Sequence, residues 1–278
     1  MAGAQQADEV LEVGLMAAVV LGLVEGLTEF LPVSSTGHLI VTGRLLGVHN
    51  STLEVGIQVG AITAILVLYG SRLLDALRRI LQRDRSQPNL LLQLVLAALP
   101  AAVLGLLLDD WLDAHLFAPA VVATTTVVGG LLLWWLEAWL KGRAQPALEL
   151  HQMSYRSVLL VVCFQCLALI PGTSRSGATI AGALLLGASR GAAAELSFLV
   201  GLPILYGACG LKLLKDFDAV RGPLLEPFLV ATAVSFVAAM LVVKPFVAFV
   251  RSHTFVPFAI YRILVGIALA VLCVNGAV

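Results

Sequence analysis

Charged residues are scarce in this sequence, and their scarcity excludes an ordinary soluble domain. Asp, Glu, Lys and Arg make up only 12% of the 278 residues, whereas soluble domains average about 25%. Hydrophobic residues make up 60%, and the mean hydropathy is +0.99. Nearly uncharged runs such as 116–140 and 256–274 suit the ~20 residues that a helix needs to cross a hydrocarbon core of about 30 Å. The composition therefore predicts a polytopic helical membrane protein.

An excess of positive charge is also absent, because 17 Lys and Arg residues balance 17 Asp and Glu residues. This balance does not indicate a nucleic-acid partner. Cysteines are few, and all of them lie in apolar stretches: Cys163, Cys166, Cys209 and Cys273. The first two form a C-x-x-C, but no second C-x-x-C or H-x-x-x-H accompanies it. We interpret the cysteines as packing residues rather than as a metal or redox site.

An internal repeat is the main feature of the chain's organisation. A shift of 140 residues aligns 24–47, VEGLTEFLPVSSTGHLIVTGRLLG, with 164–187, FQCLALIPGTSRSGATIAGALLLG, without a gap. Serines and glycines coincide in this alignment, and they match by chance less often than leucines do: Ser34/Ser174, Gly37/Gly177 and Gly47/Gly187. The alignment predicts two homologous halves, 1–145 and 146–278, which together form one membrane domain.

Each half opens with a helix, a polar break and a second apolar segment that is too short to span a bilayer. These second segments are 38–47 and 178–187. Irregular backbone at membrane depth must be satisfied by protein or by a wet cavity, so each break is predicted to be the tip of a re-entrant hairpin. Three full spans follow in each half, at 54–70, 89–108 and 117–140, and at 195–211, 226–243 and 256–274. The predicted fold is all-α, with six transmembrane helices and two re-entrant helix pairs.

The odd number of spans in each half requires the second half to lie inverted relative to the first. Loop charges agree with this topology, because cytoplasmic loops are enriched in Lys and Arg. Segment 71–88 carries five arginines and is predicted to be cytoplasmic, whereas the acidic segments 8–12 and 109–116 are predicted to lie outside. One predicted outside loop disagrees because it is partly basic, with Lys212, Lys215 and Arg221.

Two acids lie in the middle of the first apolar segment. Glu25 and Glu29 are four residues apart, so they share one face of a helix. A charged side chain at mid-membrane costs about 2.5–3.5 kcal/mol on insertion scales. This cost favours a functional pair over the alternative, a pair of interfacial acids at a helix end.

Hydroxyl residues and a histidine follow the first break. Ser34, Ser35 and Thr36 begin the short segment, where hydroxyls cap a helix N-terminus and free N–H groups attract phosphate. Capping alone explains one or two of these hydroxyls. It does not explain His38, one turn further on, and its position beside two acids and three hydroxyls favours a functional role.

The second break, 171–179, reads PGTSRSGAT and surrounds an arginine with hydroxyls. Arginine binds phosphate oxygens through two parallel hydrogen bonds. Arg175 has no acidic neighbour in sequence, so its counter-charge is either a glutamate of the first half or an anionic ligand. The predicted substrate-binding hydroxyls here are Ser174, Ser176 and Thr179, which join Ser34 and Thr36 of the first break.

Together the two breaks favour phosphoryl chemistry on an anionic lipid. A serine would attack phosphorus while a carboxylate or His38 handles the proton. Glu25 and Glu29 would repel an anionic substrate, so a divalent cation that bridges them to a diphosphate is a reasonable addition. A site inside the membrane suits a lipid whose tail stays in hydrocarbon.

Several motifs resemble those of one known family. The stretches EGLTEFLPVSSTGH and PGTSRSGAT, with QCLAL, ELSFL and PFAIYR, closely resemble the bacterial undecaprenyl-diphosphate phosphatases of the bacitracin-resistance type, over essentially the whole chain. The resemblance implies an inner-membrane enzyme that hydrolyses undecaprenyl diphosphate to the monophosphate and inorganic phosphate. Its site would open to the outer side, where it recycles the lipid carrier of peptidoglycan synthesis. Whether the protein forms an oligomer stays open.

The resemblance also implies residue roles and a cofactor. Glu25 and Glu29 match the family's E-x-x-x-E, and Ser35 resembles its nucleophile, with Glu29 or His38 as the proton partner. Arg175 matches the arginine of its second motif. Activity would depend on magnesium or calcium. Whether the serine forms a covalent intermediate or positions a water stays open.

The strongest rival hypothesis is a transporter or flippase of lipid phosphates or small anions. Inverted repeats, broken helices and a mid-membrane site built from helix ends are typical of transporters. Clustered hydroxyls beside Glu, His and Arg favour hydrolysis instead. A purely structural membrane subunit would leave these residues unexplained.

Overall fold

The computed structural model describes residues 13–48, 50–84, 86, 88–116, 118–143 and 147–275. The acidic segment 8–12 and the predicted boundary between the halves lie outside these residues. The described chain is built from helices and contains no strand. In chain order the helices are α1 Leu15–Thr28, α2 Ser35–Leu46, α3 Ser51–Gly56, α4 Gln58–Leu68, α5 Gly70–Leu81, α6 Leu90–Leu116, α7 Pro119–Leu140, α8 Tyr155–Cys166, α9 Arg175–Leu185, α10 Arg190–Lys215, α11 Phe217–Arg221, α12 Leu225–Ser252 and α13 Val256–Val274.

Six segments in the described part of the chain are long and apolar enough to cross a membrane. They are Ser51–Leu68, Leu90–Leu108, Pro119–Leu140, Arg190–Lys215, Leu225–Ser252 and Val256–Val274. Their number and approximate positions confirm the six predicted spans. The first of them consists of α3 and α4, which are separated at Ile57.

Three segments that were predicted to be loops are wholly or partly helical instead. The basic residues Lys212 and Lys215 lie at the end of α10, and Arg221 lies in α11. Helix α6 continues to Leu116 through the predicted acidic loop 109–116. Helix α5 occupies most of segment 71–88, because its sequence, GSRLLDALRRIL, places leucines at helical spacing among arginines. Short amphipathic helices of this kind are typical of the membrane interface, where arginines reach the headgroups, and we expect α5 to lie there.

Two pairs of short helices, α1 with α2 and α8 with α9, are joined by the two polar breaks. Ser34 and Ser174 cap α2 and α9, and both have positive φ, 72° and 67°. Each side chain accepts a hydrogen bond from a glycine amide, that of Gly37 or Gly177. The two breaks therefore have the same local construction. Their re-entrant position in a bilayer stays a prediction.

Several helices of each half pack against helices of the other half. Helices α1 and α4 of the first half pack on α12 of the second, and α8 and α10 of the second half pack on α6 of the first. Helices α7 and α13 pack on each other. This pattern fits two related halves, although the inverted orientation of the second half stays a prediction. It also brings the two breaks toward the same interior region.

The basic segment 212–221, at the end of α10 and in α11, is partly neutralised. The ammonium of Lys212 lies 2.9 Å from the carboxylate of Asp216. The Thr52 hydroxyl and the Lys212 ammonium, as hydrogen-bond donors, lower the pKa of the Asp216 carboxyl below its ordinary value. The carboxylate is therefore ionised at neutral pH, and this segment carries less net positive charge than its lysines suggest.

Candidate active site

The two polar breaks are in direct contact. The Ser176 hydroxyl of the second break donates a hydrogen bond of 2.8 Å to the carbonyl oxygen of Leu31 in the first. The Arg175 Nη2 atom lies 3.2 Å from Oε1 of Glu29. Glu29 and Arg175, which are 146 positions apart in the sequence, thus share one site.

Glu29 is the centre of a short hydrogen-bonded chain. Its Oε2 atom accepts a hydrogen bond of 2.6 Å from the Ser35 hydroxyl, while its Oε1 atom faces Arg175. The side chains of Glu29 and Arg175 are only 6% and 9% exposed. Because a buried charge is stable only when it is paired and hydrogen-bonded, this arrangement fixes both groups. Successive hydrogen bonds thus link the Ser35 hydroxyl, the Glu29 carboxylate and the Arg175 guanidinium.

The backbone of the first break creates this geometry. Helix α1 ends at Thr28, Glu29 is its C-terminal cap, and the chain then turns so that Ser35 begins α2. The first turn of a helix leaves N–H groups without intrahelical partners. These groups and the partial positive charge of the helix end attract an anion. A second such end, that of α9, begins at Arg175 itself.

Arg175 is held from a second direction. Its Nη1 atom donates a hydrogen bond of 2.8 Å to the carbonyl oxygen of Ser197 on α10. The Thr179 hydroxyl, one turn along α9, lies 2.8 Å from the Arg175 carbonyl oxygen and 2.6 Å from the Ser197 hydroxyl. Helix α10 thereby orients the guanidinium toward the first break.

A cavity of about 190 Å³ lies at the meeting point of the breaks. The predicted site residues that line it are Glu29, Ser34, Ser35, Thr36, Ser174 and Arg175. Apolar side chains, including Leu169, Ile204 and Leu205, line the rest. A cavity lined by both polar and apolar side chains can hold the polar head of a lipid together with the start of its apolar tail.

His38 helps to hold the first break in position. Its Nδ1 and Nε2 atoms each lie 2.8 Å from a partner, the Ser34 carbonyl oxygen and the Tyr261 hydroxyl respectively. Its ring also stacks on the Tyr261 ring. His38 is not among the described residues that line the cavity. Because the Ser35 hydroxyl bonds Glu29, the geometry favours Glu29 over His38 as the proton partner.

Ser176 and Thr179, predicted to bind substrate, direct their hydroxyls at protein groups. Both side chains are buried, and the described cavity lining does not include them. The Ser176 hydroxyl lies 3.2 Å from that of Ser174 and bonds the first break, whereas Thr179 bonds α10. In this arrangement they hold the second break in place.

Three side chains of this region were missed by the sequence prediction. Gln58 and Gln165 line the cavity. Arg262, from the PFAIYR stretch of α13, is 1% exposed, and its Nη2 atom donates to the carbonyl oxygens of Gly172 and Thr173 at 3.1 and 2.9 Å. The repeat alignment offered a signal for one of them, because Gln165 occupies the position that Glu25 has in the first half.

Two carboxylates fit the predicted divalent cation. Glu25 is fully buried, and both of its carboxylate oxygens are without a hydrogen-bond partner among the described residues. No cluster of three or more His, Cys, Asp or Glu side chains suited to a metal occurs in the described ranges. Magnesium often takes only one or two carboxylates and completes its shell with substrate phosphates and water. Glu29 lines the cavity, whereas Glu25 is not among the described lining residues, so a divalent-cation site at these two carboxylates stays a prediction.

The fold and the site define an integral membrane protein with a polar site enclosed between two helix hairpins. The chain belongs to the bacitracin resistance protein BacA family, whose family model matches residues 18–268. Three similar proteins are each named undecaprenyl-diphosphatase. Those of Albidiferax ferrireducens and Acidovorax ebreus are 42% identical to this chain, and that of a Polaromonas species is 41% identical. In each case the alignment covers 95% of this chain and 97% of the relative.

Proposed function

We propose that the protein is an undecaprenyl-diphosphatase, which hydrolyses undecaprenyl diphosphate to undecaprenyl phosphate and inorganic phosphate. The observation that carries the proposal is the hydrogen-bonded chain from the Ser35 hydroxyl through Glu29 to Arg175, at a cavity that both halves line. Family membership and the names of the relatives support it. As in the family, this activity would recycle the lipid carrier of cell-wall synthesis and confer bacitracin resistance.

In the proposed first step, the Ser35 hydroxyl oxygen attacks the terminal phosphorus of the diphosphate. Its proton passes to Glu29 Oε2, with which it already shares a hydrogen bond of 2.6 Å. The bond from that phosphorus to the bridging oxygen breaks, and undecaprenyl phosphate leaves. Arg175 and the N-terminal N–H groups of α2 and α9 hold the phosphate oxygens as charge develops.

In the second step, water attacks the phosphoserine and restores the enzyme. The proton on Glu29 has by then been passed to solvent or to the leaving phosphate, so the carboxylate accepts a proton from the attacking water. The phosphorus–Ser35 bond breaks, inorganic phosphate leaves, and the hydroxyl is regenerated. A divalent cation held by Glu25 and Glu29 would supply charge neutralisation of the diphosphate.

Phosphate release from purified protein in detergent tests this proposal. We expect wild-type protein to release inorganic phosphate from undecaprenyl diphosphate with magnesium or calcium, and a chelator to stop the release. Ser35→Ala, Glu29→Gln and Arg175→Lys should each lower the rate by roughly 100-fold or more. Ser252→Ala, at an exposed position near the end of α12, is the matched control and should retain full activity.

Two outcomes would contradict the proposal. Wild-type protein that moves the lipid between leaflets of a vesicle without releasing phosphate would favour the transporter hypothesis. Failure to trap labelled phosphate on Ser35 during turnover, in a protein that does release phosphate, would replace the phosphoserine with direct attack by water.

We further propose that the protein lies in the inner membrane with the site open to its outer side. The charge of α5 supports this orientation, because its arginines favour the cytoplasm.

A further inference from the structure

A buried glutamine in the cavity lacks any hydrogen-bond partner. Gln165 lies on α8 and is 2% exposed, yet neither its amide oxygen nor its amide nitrogen has a partner in the described structure. The same side chain lines the cavity together with Ser35, Glu29 and Arg175. Buried polar groups are nearly always satisfied, because an unmade hydrogen bond costs free energy. This amide is therefore an exception that needs a physical reason.

A second buried glutamine shows how the same fold satisfies an amide away from the cavity. Gln93 on α6 is 3% exposed, and its Nε2 atom donates a hydrogen bond of 2.7 Å to the carbonyl oxygen of Met153. The contrast shows that burial of glutamine in this protein does not by itself leave the amide unpaired. Gln165 differs from Gln93 in lining the cavity.

The chemistry of the amide fits a phosphate oxygen. A glutamine side chain offers two N–H donors without adding charge. The repeat alignment places an acid, Glu25, at the equivalent position of the first half. A carboxylate at position 165 would repel an anionic head, whereas an amide would bind it beside the guanidinium of Arg175. A neutral donor also avoids placing a second cation next to the Arg175–Glu29 pair.

We propose that Gln165 is a substrate-binding residue whose amide nitrogen donates hydrogen bonds to the phosphate head of the lipid. This inference rests on the proposed function and deepens it. The described protein residues offer this amide no hydrogen-bond partner, and the phosphate of the substrate would supply one. The unpaired amide lowers the stability of the fold but provides a hydrogen-bond donor for the substrate. Replacing it with an apolar side chain should therefore weaken substrate binding without lowering stability.

Gln165→Leu tests this proposal because leucine has a similar volume and no polar atoms. We expect kcat/KM for phosphate release to fall roughly 10- to 100-fold, the range for a lost hydrogen bond to a charged group. We expect the melting temperature in detergent to stay equal to that of wild type or to rise, because no protein hydrogen bond is lost. Gln165→Glu, which keeps the size and adds a negative charge, should lower kcat/KM at least as much.

The matched control is Gln93→Leu, which removes a buried amide that does have a partner. It should lower the melting temperature, because the Met153 carbonyl loses its donor, and leave kcat/KM close to that of wild type. If Gln165→Leu instead lowers the melting temperature as this control does, Gln165 is a structural residue. An unchanged kcat/KM in Gln165→Leu would equally overturn the proposal.

A binding measurement separates this proposal from the proposed function. Inorganic pyrophosphate is the probe, and the readout is the melting-temperature increase that it causes in wild type and in Gln165→Leu. A larger increase in wild type supports the role of Gln165 even if no phosphate is ever released, in which case only the proposed function fails. Equal increases, or none in either protein, would overturn the role of Gln165.

Discussion

Single buried side chains determine how firmly the second break is held, and Arg262 illustrates this. Its guanidinium is almost fully buried, and the hydrogen bonds recorded for it go to backbone carbonyl oxygens, those of Gly172 and Thr173 among them. These carbonyls lie just before the cap of α9, so Arg262 fixes the chain immediately before Arg175. It acts through that backbone and is therefore a positioning residue.

We expect Arg262→Met to lower kcat for phosphate release by up to about 100-fold, because small displacements of a catalytic group are costly. Its melting temperature should also fall, since the carbonyls are left without a donor. The control is Arg221→Met on the exposed side of α11, where the arginine lies over the ring of Phe217. A wild-type rate in Arg262→Met would show that the second break holds its shape unaided.

The site residues that could be predicted from the sequence are those whose polar or charged side chains cost free energy to place in a membrane. Glu29, Ser35 and Arg175 were predicted because acids, hydroxyls and an arginine interrupt apolar segments. Gln165 was not predicted, since a single neutral amide in an apolar helix is a weak signal. The role of Arg262 depends on the carbonyl oxygens of Gly172 and Thr173, which are 90 and 89 positions away in the sequence. No local sequence pattern predicts a contact over that distance.

At the scale of helices, close approach of backbones positions the acids. Helix α1 crosses α12 with Gly22 and Gly26 in contact with the carbonyls of Ala231 and Ser235. A side chain at Gly26 would overlap the Ser235 carbonyl oxygen and lie 2.7 Å from the Ala238 Cβ. Small residues at such crossings are typical of membrane helices. Because Glu25 lies between these two glycines and Glu29 caps the same helix, this crossing also positions both acids.

Gly26→Ala should therefore destabilise the protein by about 1–3 kcal/mol, the usual cost of overpacking, and should lower activity by moving α1. Gly207→Ala on α10 is the matched control, because an added Cβ there has no neighbour within 4 Å in the described structure. It should be neutral or stabilising by up to about 1 kcal/mol, since alanine favours a helix. Thermal melts in detergent measure both, and equal melting temperatures would contradict the proposed crossing.

The spans were predictable from the sequence, whereas their ends were not. Hydropathy fixed the six spans because each must fill a hydrocarbon layer of about 30 Å. The continuation of α6 to Leu116 follows from helical hydrogen bonds that extend beyond the apolar layer, so a change in polarity did not mark its end. Helix α5 was missed because its charge was interpreted as a loop, although its leucine spacing is helical.

For the whole molecule, the predicted inversion of the two halves places equivalent ends on opposite faces of the membrane. Arg78 on α5 follows the first span, Ser51–Leu68, and Asp218 on α11 follows Arg190–Lys215, the corresponding span of the second half. Both residues are exposed. The partial neutralisation of Lys212 by Asp216 is compatible with an outside position for α11.

Accessibility of introduced cysteines tests this topology. The four native cysteines are first replaced by serine or alanine, and activity is checked. We expect Arg78→Cys to react with a membrane-impermeant maleimide only from the cytoplasmic side and Asp218→Cys only from the outer side. Labelling of both from one side would exclude the inverted arrangement.

The contact between the two breaks has a consequence for biosynthesis. Ser35 and Glu29 leave the ribosome about 140 residues ahead of Arg175, so the enzyme cannot begin chemistry until its second half has inserted. Until then the first half carries Glu29 without the guanidinium that pairs with it in the whole chain. Two polypeptides, each encoding one half, should regain activity only when they are produced in the same cell.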